Sequence, residues 1–211
     1  SARRRQPDFQ VVPSDVPCLA DICRLVEGMP LALELAASWL ETLSLREIAD
    51  EIQENLDFLA TDVRNVPDRH RSMQAVFDAS WGSLTDKEKE IYARLSVFRG
   101  GFTQDAARAI AGAAPQELRG LVNKSLLRFN QRRSRYEIHE LLRQYAAEQL
   151  AGAAEETRDR HAVFFAAFLE QRDPDIKGAR QREALAEIEA DSENARAAFQ
   201  WAAARSQVAQ L

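Results

Sequence analysis

Gly28-Met29-Pro30-Leu31-Ala32-Leu33-Glu34-Leu35-Ala36-Ala37 is the stretch that organises this chain. Glycine favours the position just past a helix C-terminus because it tolerates positive φ. Proline favours the first helical position, where its missing N–H would be unbonded in any case. The two residues predict a rigid elbow, with one helix ending at Gly28 and another opening at Pro30. Upstream, Val16, Leu19, Ile22, Cys23 and Val26 keep a helical period up to the glycine. Downstream, residues 30 to 41 are apolar on most sides, which predicts a buried helix. Ser44-Leu45-Arg46-Glu47 has capping-box spacing and opens a third helix with Ile48, Ile52 and Leu56 on one face. Thr61 to Arg71 is polar, contains Pro67 and mixes charges, so it reads as a connector. Residues 1–69 are therefore expected to form a small helical arm.

Residues 70–150 carry a different pattern. Met73, Val76, Phe77, Ser80 and Trp81 suggest a short helix. Thr85-Asp86-Lys87-Glu88 is a second capping box, opening a helix through Ile91, Leu95 and Phe98 that Gly100-Gly101 stops. Thr103 can cap a helix through Ala106, Ala107 and Ile110, and Pro115 opens another through Leu118, Leu121 and Val122. The period then changes. Leu126 to Phe129 and Arg135 to Ile138 are short strand candidates around the polar turn Asn130 to Ser134. Three helices followed by a hairpin is the order of a winged helix-turn-helix. A further helix carries Leu141, Leu142, Tyr145, Ala146 and Leu150. Residues 151–211 are helical and alanine-rich. One helix holds Arg160, His161, Val163, Phe164, Phe165, Phe168 and Leu169, and Asp173-Pro174-Asp175 is expected to break it. Ala184, Leu185, Ile188 and the segment Asn194 to Trp201 supply two more. The fold class is mainly α: a helical bundle, a winged helix-turn-helix with a small β-hairpin, then further helices.

Composition bounds the function. The chain has 211 residues and a 45% hydrophobic share, which suits a globular protein. Its net charge of -5 gives no overall attraction to nucleic acid or to an anionic membrane. Cys18 and Cys23 share one expected helix and point in different directions, with no second pair to complete a metal site. A reduced, cytosolic protein is the simplest reading. No apolar run approaches the roughly 18 to 20 residues needed to span a bilayer. Ser1 to Gln6 is charged with no apolar core after it, so it reads as the tail of something cut upstream rather than as a signal peptide.

Two motifs carry a resemblance. Gly28-Met29-Pro30, followed by its Leu/Ala run, is similar to the Gly-x-Pro motif of the STAND-class signal-transduction ATPases, relatives of the apoptotic and plant disease-resistance (NB-ARC-like) ATPases. Tyr136-Glu137-Ile138-His139-Glu140-Leu141-Leu142 resembles the Met-His-Asp motif at the end of that class's winged helix, with Ile138 in place of Met and Glu140 in place of Asp. Segments Arg69 to Trp81, Leu95 to Phe102 and Leu121 to Leu126 are similar to predicted ATPases within large bacterial regulators. By that resemblance, Gly28 and Pro30 form a nucleotide-contacting elbow, with Pro30 against adenine. His139 would contact the β-phosphate of ADP and hold a closed state. ATP exchange would release the winged helix and expose surfaces for assembly. The residues at 151–211 would be the first turns of a tetratricopeptide-like superhelix. From the chemistry alone, an imidazole N–H at a strand-to-helix junction can donate to phosphate near a helix N-terminus. The same histidine can equally cap the helix or bond a nearby carbonyl.

No Gly-x-x-x-x-Gly-Lys-Ser/Thr loop occurs. Gly120-Leu121-Val122-Asn123-Lys124-Ser125 ends suggestively, but its spacing is wrong. No other catalytic set stands out, and no metal site is expected. The chain is thus expected to be non-catalytic and to bind no nucleotide by itself. ADP or ATP would belong to a parent protein, held by a nucleotide-binding domain upstream in the same chain. The competing reading is a winged-helix DNA-binding module. Arg128, Arg132, Arg133 and Arg135 on the wing support it, whereas Glu117 beside Arg119 and Lys124 on the candidate reading helix does not. Regulation is the favoured expectation, with weak and sequence-independent DNA contact at most.

Overall fold

The computed structural model of this chain describes residues 12–26, 28–54, 58–59 and 73–205. Leu56, the connector expected at Thr61 to Arg71 and the charged start Ser1 to Gln6 lie outside them. Among the described residues are eleven α-helices and one antiparallel hairpin. They fall into two compact units: Ser1–Leu84 with His139–Tyr145, and Thr85–Ile138 with Ala146–Leu211.

The first unit holds α1 (Val16–Leu25), α2 (Pro30–Ser38), α3 (Leu45–Glu54) and α4 (Met73–Gly82). Gly28 closes the first helix at φ 72°. Its N–H reaches the Cys23 carbonyl at 3.1 Å, and α2 starts at Pro30 as the elbow requires. Ile22, Val26, Ala32, Leu35, Ile48 and Ile52 are buried and form its core. The α3 capping box is closed: Ser44 N–H donates to the Glu47 carboxylate at 2.8 Å and Glu47 N–H donates back to the Ser44 hydroxyl at 3.3 Å. Phe77 and Trp81 on α4 each meet the Tyr145 ring edge to face at 5.8 Å, and the Tyr145 hydroxyl donates to Asp78 at 2.6 Å. Tyr145 belongs to α8 (Glu140–Glu148), whose residues divide between the two units.

The second unit begins with α5 (Asp86–Leu95), α6 (Gln104–Ala111) and α7 (Pro115–Asn123), followed by β1 (Arg128–Asn130) and β2 (Arg135–Glu137). This is the winged helix-turn-helix order that the change of period predicts. Thr85 and Glu88 close the second capping box, and Thr103 caps α6 through the Ala106 N–H at 3.2 Å. Leu95, Ile110, Leu118 and Leu121 are fully buried between the three helices. In the hairpin Arg128 faces Glu137, Phe129 faces Tyr136 and Asn130 faces Arg135. Phe102 extends this small sheet, exchanging backbone hydrogen bonds of 2.9 and 2.8 Å with Tyr136. The unit ends with α9 (Ala154–Ile176), α10 (Gln181–Ala190) and α11 (Ser192–Ala204). Here α9 packs along α11, and Phe165 and His161 on α9 join Phe98 in an aromatic cluster.

The helix expected over residues 30 to 41 ends at Ser38, and the strand expected over Leu126 to Phe129 is Arg128–Asn130; two further elements differ more. Helix α5 stops at Leu95 rather than reaching Phe98. The Arg99 guanidinium gathers the carbonyls of Ser96, Val97 and Phe98 at 2.9, 3.2 and 3.0 Å, so that the chain satisfies them without another helical turn. Helix α9 runs through Pro174 instead of breaking there. Proline removes one N–H and crowds the preceding turn. Near a C-terminus that loss falls on the Glu170 carbonyl, whose residue is exposed and open to water. The ion pair Lys177–Asp173 at 2.7 Å spans the same last turn.

Candidate functional site

The first candidate site is the elbow. Folding brings His139 to it across 113 residues: the ring Nε2 lies 3.1 Å from the Val26 carbonyl, two residues ahead of Gly28. The Leu141 N–H donates to Nδ1 at 3.2 Å. Nδ1 is therefore the acceptor and Nε2 carries the proton toward Val26, a tautomer set by these partners. His139 caps the first turn of α8 and ties it to α1, and both of its ring nitrogens are engaged by this chain's own backbone. Gly28 and Pro30 are exposed, whereas His139 is half-buried. Glu140, in the position of the motif's aspartate, pairs with Arg143 through contacts of 2.9 and 2.6 Å. His139 fits a phosphate only if Nε2 lets go of Val26.

The second candidate site is the outer face of the winged helix. Leu118 and Leu121 turn one side of α7 inward, and Gln116, Arg119 and Asn123 stand exposed on another. Their spacing of three and four residues places them on one face. These side chains hydrogen-bond base edges and phosphates readily. The acidic residue on this helix has a partner on α5: Glu117 accepts from Lys87 at 2.5 Å, while Lys124 donates to Glu88 at 2.7 Å. Those pairs hold the Glu88 and Glu117 carboxyls below the usual carboxylate range, chiefly through the lysine hydrogen bonds. On the wing, Arg128, Arg132 and Arg133 are exposed. Residues 85–138 carry eleven Lys/Arg against six Asp/Glu, a net +5 within a chain of net -5. That local excess is a property of the sequence itself, masked in the whole-chain charge by the acidic residues elsewhere.

Arg135 departs from its expected place on the wing surface. It is only 8% exposed. Its Nη1 and Nη2 bind Asp191 at 2.8 and 2.5 Å, and Nη2 also reaches the Gly101 carbonyl at 2.8 Å. Asn194, fully buried, donates to that carbonyl at 2.8 Å and to Asp191 at 3.0 Å, and accepts the Arg99 N–H at 2.7 Å. Asp191 lies 56 residues from Arg135, so no local spacing could have announced the pair. A groove of about 770 Å³ runs beside it, lined by Thr103, Arg133, Glu137, Phe168, Arg172 and Glu187 among others. The lining mixes both charges, unlike the mostly apolar lining of small-molecule pockets.

No protein-family model matches the chain. Over 210 residues it is 34% identical to a protein of Mycobacterium tuberculosis named "Putative HTH-type transcriptional regulator" and to one of the same name in Mycobacterium bovis. The match covers 95% of this chain and 24% of each regulator, so the chain spans about a quarter of their length. Over 165 residues it is 32% identical to an uncharacterized protein of Mycobacterium tuberculosis, covering 73% of this chain and 42% of that one. The chain is thus similar, over nearly all of its length, to a segment of proteins named as transcriptional regulators. No helix among the described residues is long and apolar enough to cross a membrane.

Proposed function

We propose that this chain is the winged-helix segment of a transcriptional regulator, and that α7 and the wing contact nucleic acid. The carrying observation is the exposed set Gln116, Arg119 and Asn123 on α7, with Arg128, Arg132 and Arg133 on the hairpin, in a segment of net positive charge. The names of the regulators it resembles support this reading over a purely nucleotide-driven one. Four exposed arginines contacting phosphates give a salt slope of about -3.6 on duplex DNA. Fluorescence anisotropy titrations of labelled duplexes at several salt concentrations measure it. Binding weaker than roughly 10⁻⁴ M at physiological salt, or a slope untouched by alanine at these arginines, would overturn the proposal. Preference for one sequence over bulk DNA by about 1,000-fold or more would extend it from contact to sequence reading.

A second reading is favoured by one observation, the approach of His139 to the Gly28–Pro30 elbow. In it the chain is a non-catalytic part of a STAND-class switch. ADP or ATP is held in the parent protein by a separate nucleotide-binding domain, with Pro30 against the base and His139 toward phosphate. Its test is ADP and ATP affinity of the parent protein carrying His139→Ala or Pro30→Ala. Selective loss of ADP affinity with H139A and equal loss of both nucleotides with P30A supports the switch. Unchanged affinities reject it.

A further inference from the structure

The Arg135–Asp191 pair joins two elements that the proposed function otherwise leaves unconnected. Arg135 begins β2 of the wing, and Asp191 sits in the turn between α10 and α11. Both side chains are nearly excluded from solvent, 10% and 6% exposed, and the contact is two-pronged. Around it the backbone is committed. The Gly101 carbonyl receives Arg135 and Asn194 together, and Gly101 adopts φ 124°, with room for no side chain against the Tyr136 carbonyl. Next to Gly101, Phe102 pairs with Tyr136 on β2. Arg135 is therefore gripped from the α10–α11 turn at the point where the hairpin leaves the sheet.

The geometry points to Asp191 as the positioning residue of the wing: it orients the hairpin, and with it Arg132 and Arg133 at the tip, from the α10–α11 turn. A hairpin of two three-residue strands has little stability of its own. Phe129 is 41% exposed, and its ring contact with Tyr136 at 4.8 Å lies within the hairpin and does not by itself aim it. A planar guanidinium held by both oxygens of one carboxylate fixes angle as well as distance, which apolar contact does not. Movement of the α10–α11 turn is thereby passed to the wing. This inference rests on the nucleic-acid reading for its consequence, but not for its mechanical part.

The test uses the whole chain, wild type and D191N, with two readouts. Hydrogen exchange is followed at the amides of Arg128–Asn130 and Arg135–Glu137, with α5 and α9 as internal references. Exchange in the hairpin of D191N is expected to accelerate by at least about tenfold while the reference helices keep their rates, because the buried arginine loses its charge partner. In the DNA titration, the salt slope is expected to fall by about 2 as Arg132 and Arg133 cease to hold phosphates together. Should D191N fail to fold, the R135M/D191L variant replaces the pair with apolar side chains of similar bulk and is read in the same way. Hairpin exchange equal to wild type in the folded variant, or acceleration spread evenly over α5 and α9, would overturn the positioning role. An unchanged salt slope in a variant with a loosened hairpin would overturn its link to binding. A wild type that binds no DNA defeats the nucleic-acid reading alone, since the exchange experiment stands without it.

Discussion

Two histidines show how far a residue's meaning depends on its neighbours. His139 stood out by motif, and its ring is engaged at both nitrogens by Val26 and Leu141. Removing it leaves the Leu141 N–H without its acceptor, at about 1–3 kcal/mol for such a group when buried, while the Val26 carbonyl keeps its bond from the Met29 N–H. His139→Ala is therefore expected to lower stability toward the middle of that range, seen as a shifted urea midpoint at unchanged m-value. His161 carried no motif and was expected only as part of a helix. It is 3% exposed, beside Asn194 and the Phe98 and Phe165 rings. Burial, as the largest cause, lowers its pKa to about 4, with Arg99 also lowering it and Asn194 and Asp191 opposing. The folded-state value lies below the ordinary 6.5, so the unfolded chain binds the proton first. Stability is complete above about pH 6.5 and falls as pH drops toward 4, by up to about 3 kcal/mol from this residue. Denaturant midpoints at pH 7, 5.5 and 4.5 should show the loss, and His161→Gln should flatten it. An equal loss in that variant would place the acid sensitivity elsewhere.

At the scale of elements, local signals held where the bonding groups were close in sequence. Both Ser44/Glu47 and Thr85/Glu88 close as boxes because four consecutive residues contain donor and acceptor. Thr85→Ala is expected to cost about 1 kcal/mol, since the Glu88 N–H at the start of α5 loses its acceptor; a thermal melt of the variant checks it. The hairpin is governed by a longer-range requirement. A Cβ on Gly101 would stand 3.0 Å from the Tyr136 carbonyl, at a φ that side chains rarely adopt. Gly101→Ala should therefore destabilise by roughly 1–3 kcal/mol and weaken the Phe102–Tyr136 bridge, seen as faster exchange of those two amides. Pro174 shows the opposite limit. Its breaking tendency is a property of the residue alone, and α9 absorbs it because the lost hydrogen bond, to Glu170 in the last two turns of the helix, falls on an exposed residue.

For the molecule as a whole, charge is partitioned. Residues 85–138 are net +5 although the chain is net -5, and under the proposed nucleic-acid reading that segment is the one to meet a polyanion. Replacing Arg128, Arg132 and Arg133 together by alanine should make the DNA salt slope shallower by about 2.7. Replacing the exposed Glu155 and Glu156 on α9 should leave the slope alone, because screened surface charges away from the contact add little. A slope equally sensitive to both sets would mean that net charge, not the wing, drives binding. The sequence by itself determined the mainly helical class, the turn at Gly28 and Pro30, the order of three helices before a hairpin and most helix starts. Each of these rests on interactions within about four residues or on a repeating apolar period. Only the tertiary structure decided which polar side chains face outward and which are consumed inside. It drew Arg135 from the wing surface into a pair with Asp191, freed the outer face of α7 by matching Glu117 with Lys87, and set His139 against Val26. The physical reason is that such pairings depend on positions brought together across tens of residues. A side chain's type states what it can bond, and only the packed chain determines what lies within reach.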